Sequence, residues 1–139
     1  MQREISADTE FDIEFYDVDS MRIVWHGNYL KYFEKARCAL LRKIGYDYPQ
    51  MEESGWLFPI IGISLKFIDS LHFGDRVHAR AILTEYENCI KIKYELFNKK
   101  TGKICTKGES TQMAVNKVTG ESSMICPQVF LSRVETLLG

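Results

Sequence analysis

One change of period governs this chain. Between Tyr29 and Ile44 the apolar residues fall three and four apart, and from Trp56 onward they fall two apart through successive segments. A chain written this way has one long helix and a set of long strands, and the sheet those strands make must bury one face on that helix. Tyr29, Phe33, Ala36, Leu40 and Ile44 form the main line of the helix, with Leu30, Arg37 and Leu41 on the adjoining one. Gly27 or Asn28 can cap its start, and Gly45 can end it in a left-handed conformation. Pro49 then permits a short extra turn through Glu53.

The strands are read from alternation. Phe11, Ile13 and Phe15 alternate with Asp12, Glu14 and Tyr16, so the chain opens with a strand. Phe58, Ile60, Ile61, Ile63, Leu65 and Phe67 predict a long strand from Trp56, with the repeated isoleucines marking a bulge. Gly74-Asp75 turns the chain into Val77, Ala79, Ala81 and Leu83, and Glu87-Asn88 turns it into Ile90, Ile92, Tyr94 and Leu96. Thr101-Gly102 makes the next hairpin, into a strand from Lys103 to about Asn116. Pro127 starts a tail helix carrying Val129, Phe130, Val134 and Leu137. The result is an α+β fold: one long helix and an antiparallel, curved, five-stranded sheet. No repeat, linker or low-complexity stretch divides it, so residues 1–139 read as a single domain with its core at about 10–135.

Charge excludes one class of partner. Eighteen basic against nineteen acidic residues leave a net charge of -1, without the basic footprint of a nucleic-acid binder. The segment from Met1 to Glu10 is polar, and no stretch approaches the roughly 20 apolar residues of a membrane span, so no membrane partner and a cytoplasmic location are expected. Cys38, Cys89, Cys105 and Cys126 are too scattered for a metal clip or a redox pair and read as reduced, mostly buried thiols.

Chemistry concentrates between the first strand and the helix. There the chain runs Asp17-Val18-Asp19-Ser20-Met21-Arg22-Ile23-Val24-Trp25-His26-Gly27-Asn28-Tyr29, then Tyr32-Phe33-Glu34 and Ala36-Arg37. With the order of elements over roughly 10–135, this segment resembles the 4-hydroxybenzoyl-CoA thioesterase family of hotdog proteins, in which an Asp-x-Asp pair leads through a small apolar loop into the central helix. The resemblance implies the hotdog fold, hydrolysis of an acyl thioester, and Asp19, the second acid, as the catalytic carboxylate. It calls for no metal and no cofactor.

Elementary chemistry gives that placement sense. A thioester carbonyl needs a nucleophile or a base-activated water on one side and donors for the developing oxyanion on the other. A helix start offers unpaired N–H groups and a positive dipole end, which places His26 and Gly27 with Asp19 as catalytic candidates. The same field favours an ionised carboxylate. Read without the resemblance, an Asp before a helix is a cap or turn residue, and a lone His there is a structural group. Asp17 reads as structural, and Glu34 and Arg37, three apart on one helix, as an ion pair. Candidate substrate-binding residues are Arg22, Trp25, Tyr29, Phe58 and Lys91. Tyr16, Trp25, Trp56 and Phe58 can line an acyl pocket or equally belong to the core.

Two departures from the family pattern stand out. Arg22 occupies a position where relatives commonly have glycine, so the backbone there is either ordinary or strained. The hairpin Glu87-Asn88-Cys89 lacks the bases with which some CoA-using relatives hold nucleotide phosphates, leaving Lys91 and Lys93 on one strand face. The basic tip Lys99-Lys100-Thr101-Gly102-Lys103 can instead dock an acidic acyl carrier protein. Acyl-CoA or an acyl-carrier protein is thus the expected substrate. A non-catalytic acyl-binding protein and a hotdog dehydratase or hydratase are the alternatives, and His26 and Glu34 match the latter imperfectly. An unprotected sheet edge predicts a homodimer or homotetramer.

Overall fold

The first strand lies upstream of the residues whose alternation suggested it. In the computed structural model, which describes residues 4–139, β1 is Ile5–Asp12, and Phe15–Asp17 is a 3-10 turn with Phe15 and Tyr16 exposed. Met1 to Arg3, part of the polar amino-terminal segment, lie outside the described residues. The reason for the shift is cross-strand pairing. Asp8, Glu10 and Asp12 face Arg80, His78 and Arg76 across an antiparallel ladder. Asp8 sits 2.7 Å from His78 and 3.0 Å from Arg80, and Asp12 sits 3.0 Å from Arg76. Charges that make the segment look like a loose terminus are its pairing groups.

The helix α1 spans Tyr29–Ile44 and closes on Gly45 at φ 83°, donating to Leu41 and Arg42 carbonyls. A 3-10 turn at His26–Asn28 precedes it. Asn28 is not a side-chain cap: its Nδ2 donates 2.8 Å to the Asp17 carbonyl instead. The short α2, Tyr48–Glu53, is capped by Asp47, which accepts from Tyr48 N–H.

The remaining strands are β2 (Trp56–Leu57), β3 (Ile60–Phe67), β4 (Arg76–Glu85), β5 (Ile90–Asn98), β6 (Ile104–Gln112), β7 (Ala114–Asn116) and β8 (Ser122–Ser123), followed by α3 (Gln128–Leu138). The five long strands form one antiparallel sheet in the order β1-β4-β5-β6-β3 around α1, the hotdog arrangement. The doubled isoleucine is a bulge, with the register shifting between Ile60 and Gly62. The last predicted strand breaks at Met113, and β2, β7 and β8 form a small second sheet.

One row of α1 fixes the helix on the sheet. Tyr29 lies beside Thr106, Phe33 over Gly108, and Arg37 reaches Tyr94, whose hydroxyl bonds Ser110 at 2.6 Å. The helix itself packs on β1 and β4, and this row of side chains reaches across to β6 between Thr106 and Ser110. Phe33 stacks on the Tyr94 ring with centroids 4.5 Å apart and planes 5° from parallel. That stack needs Gly108, because a Cβ there would meet the Phe33 ring and come within 2.8 Å of the Ser64 carbonyl. At the other end of the helix, Phe130 of α3 packs with Tyr46 and Phe58.

Candidate active site

Asp17 organises the approach to the helix. Its Oδ2 accepts from Glu14 N–H at 2.9 Å, and its carbonyl accepts both Trp25 N–H at 3.0 Å and Asn28 Nδ2 at 2.8 Å. The carboxyl is buried against the Tyr32 hydroxyl, whose pKa is pushed above its ordinary value by burial and then by the Asp17 charge.

Asp19 opens a tight turn. Val18 bridges to Val24, Asp19 N–H donates to the Ile23 carbonyl, and Arg22 N–H donates back to the Asp19 carbonyl, each at 2.9 Å. The loop is pinned to the sheet by Val24 N–H donating to Leu71 and by an Ile23–His72 bridge. Closing so tight a turn requires a left-handed residue, and Arg22 supplies it at φ 67°, the only described non-glycine residue with positive φ. An arginine thus holds a backbone conformation that ordinarily favours glycine. Asp19 Oδ1 accepts from Met21 N–H at 2.8 Å, so one carboxylate oxygen belongs to the turn. Among the described residues, Oδ2 has no hydrogen-bond partner.

A cleft of about 330 Å³ joins Asp19, Ile23, Val24, His26 and Tyr29 to Phe67, Ile68, Asp69 and Ser70. The structure thus brings Asp19, His26 and Tyr29 together. Burial pushes the Tyr29 hydroxyl up to about 12, so it remains a neutral donor. Gly27 lies in the turn beside them, with the Trp25 indole in the space a Cβ would occupy. Among the described residues, neither His26 N–H nor Gly27 N–H donates to a protein acceptor, as expected of a helix start. Arg22 lines an adjoining hollow of about 610 Å³ with Phe15, Val18, Asp19 and Phe73.

Two substrate-binding candidates lie elsewhere. Phe58 is buried in the cluster with Tyr46 and Phe130, and Lys91 stands where β5 begins, at the opposite end of the sheet from Asp19. Asp69 and Ser70, which follow β3, line the cleft with Asp19 and are not among the candidates the sequence offers. Their signal was weak: two small polar residues after a strand read as a turn. The lysine tip lies at the Asp19 end, since Asp69 N–H donates to Cys105 just beyond it, although Lys99 itself pairs with Glu10 at 2.7 Å.

The supposed Glu34–Arg37 ion pair does not form. Glu34 is exposed, whereas Arg37 is 6% exposed and donates from Nε to the Tyr48 hydroxyl at 2.8 Å and from Nη1 to that of Tyr94 at 3.1 Å. All four cysteines are free; burial raises every one, Cys105 to about 11 and Cys126 to about 12, which leaves them protonated and poor nucleophiles. Among the described residues no helix is long and apolar enough to cross a membrane.

Residues 13–134 match the thioesterase-like superfamily. Among related proteins, "Putative acyl-CoA thioesterase YneP" of Bacillus subtilis (strain 168) is 29% identical over 109 residues, 78% of this chain and 78% of that protein. A DHNA-CoA thioesterase structure from Staphylococcus aureus superposes with a TM-score of 0.83 at 25% identity, covering 95% of this chain and 92% of that one. Slr0204, a 1,4-dihydroxy-2-naphthoyl-CoA thioesterase from Synechocystis, superposes at 0.84 with 16% identity over 95% and 97% of the two chains, a likeness of fold.

Proposed function

The chain belongs to the thioesterase-like superfamily, and from that premise we propose that it hydrolyses an acyl-CoA to a free acid and CoA at the Asp19 cleft. The names of its relatives support the reaction class. The observation that carries the reading is local: Asp19 has one oxygen held by the turn and the other unpaired, in a cleft shared with a helix start whose first N–H groups lack acceptors.

In this reading the thioester carbonyl oxygen rests on the His26 and Gly27 N–H groups, where negative charge develops as the carbonyl carbon becomes tetrahedral. Asp19 acts at that carbon directly, forming a mixed anhydride that water then opens, or removes a proton from a water that attacks it. By either route the C–S bond breaks, the thiolate leaves with the electron pair and takes up a proton, and the acyl carbon gains an oxygen from water. Capture of a hydroxamate on Asp19 during turnover in hydroxylamine marks the direct route.

The test is Asp19→Asn. It keeps the Met21 hydrogen bond and removes the charge, so the fold should persist while kcat/KM on acyl-CoA falls at least about a hundredfold. Near-parent turnover in that variant would end the proposal. Asp17→Asn should show itself first as lost stability, because Asp17 is a buried brace.

A further inference from the structure

The segment that leads into α3 is tied to the turn between β4 and β5. Cys126 N–H donates to the Glu87 carbonyl at 2.8 Å, which seats the backbone before α3 against that turn. Cys89 belongs to the same turn, two residues from Glu87 and so at most about 7.6 Å away along the backbone. Its side chain folds back towards the end of β4, where Sγ donates to Glu85 Oε2 at 3.3 Å. The Cys126 thiol lies close to both members of that contact: after burial, the charges of Cys89 and then Glu85 push it up, to about 12. Two thiols and a carboxylate therefore meet where the last helix joins the hairpin.

The remaining cysteines are placed differently. Burial and then carboxylates raise them, Asp47 and Glu34 for Cys38, Asp69 and Asp75 for Cys105, and among the described residues no second thiol acts on either. Within the pair, Cys126 is 2% exposed and Cys89 is half-buried, so a small oxidant in solution meets Cys89 first. Glu85 already accepts the Cys89 S–H and can take its proton.

We propose that Cys89 and Cys126 form a reversible oxidation site, closing to a disulfide under peroxide and fastening α3 to the β4–β5 hairpin. Cys89 gives its proton to Glu85 and attacks one oxygen of hydrogen peroxide; the O–O bond breaks, the sulfur becomes a sulfenic acid and water leaves. The Cys126 thiol then attacks that sulfur, the S–S bond forms, the S–O bond breaks and a second water departs. Each thiol loses one hydrogen, and the two electrons pass to the peroxide. A thiol reductant returns them. Because both thiols are protonated at neutral pH, the first step is slow there and quickens as pH rises and the thiolate fraction grows. The inference does not depend on the hydrolase reading.

The test is treatment of the folded parent with hydrogen peroxide, alkylation of the thiols that remain, and peptide mapping by mass spectrometry. Two of the four free thiols should disappear, with the Cys89 and Cys126 peptides joined within one chain, and dithiothreitol should restore both. The bridged protein should melt roughly 5–10 °C higher, since the bond closes a long loop. In Cys126→Ser, Cys89 should run on to a sulfinic acid for want of a second thiol, and in Cys89→Ser, Cys126 should stay reduced under the same treatment. Parent protein in which Cys89 and Cys126 remain alkylatable, or are oxidised singly, overturns the proposal, as does a bridge between chains or one to Cys38 or Cys105. In urea, mixed pairings should replace the single one; a Cys89–Cys126 bridge that forms equally well in unfolded protein owes nothing to the fold and overturns the assignment. The parent mapping decides the case even where a serine variant fails to fold.

Discussion

Arg22 shows how a single backbone angle supports the candidate site. A non-glycine residue in the left-handed region costs about 1–2 kcal/mol, and Arg22 bears that cost to close the Asp19 turn. Replacing it with glycine removes the strain but frees the unfolded chain, so Arg22→Gly should stabilise the protein by up to about 1 kcal/mol in urea titration. A clear destabilisation would mean that the side chain itself holds the loop. A fall in kcat/KM at unchanged stability would place Arg22 among the substrate contacts, beside the hollow it lines. Arg37 teaches the opposite lesson about legibility. The three-residue spacing to Glu34 suggests an ion pair, but that rule describes helix surfaces. Arg37 sits beside Ala36 of the core line, on the adjoining line and four residues before buried Leu41, and that position was the readable sign of burial.

At the scale of elements, long runs were legible and short ones were not. Sixteen residues of α1 give four turns of apolar period, enough to place both ends within a residue of Tyr29 and Ile44. β2 and β8 have two residues each and so no period to read, which is why the small sheet was absorbed into its neighbours. β1 was misplaced because its pairing rests on charge as much as on apolar alternation. Of the site, the turn and helix start were legible from residue types; Asp69 and Ser70 were not, because only the fold carries them across to Asp19. The helix–sheet contact offers a sharp test. Gly108→Ala drives a methyl into Phe33 and the Ser64 carbonyl, so it should destabilise by about 1–3 kcal/mol by denaturant titration. Gly62→Ala, where nothing lies within 4 Å, should be close to neutral. If both variants unfold alike, the Phe33–Tyr94 stack is not what seats the helix.

The whole molecule has two unequal sheet edges. β1 presents acids paired with β4, whereas β3 presents a free edge with Ile61, Ile63 and Phe67 exposed and a lone charge, Lys66. A long apolar edge of this kind recruits another strand, and the expected occupant is β3 of a second copy, paired antiparallel about a two-fold axis. Light scattering should therefore show at least a dimer at micromolar concentration, shifted towards monomer by Ile61→Asp with Ile63→Asp. Antiparallel pairing exchanges the ends of the two sheets, so Lys91, remote from Asp19 in its own chain, would lie at the Asp19 end of the other. This gives a test that depends on sharing. Asp19→Asn chains alone should be inactive, and Lys91→Glu chains alone should have a KM for acyl-CoA raised about tenfold, as expected for one reversed phosphate contact. Refolded together, they should form mixed dimers in which one site combines the intact Asp19 of one copy with the intact Lys91 of the other. The mixture should then recover parent KM in a fraction of its sites. If the mixture shows only the sum of the two separate activities, each site draws both residues from one chain, and the shared-site arrangement is wrong.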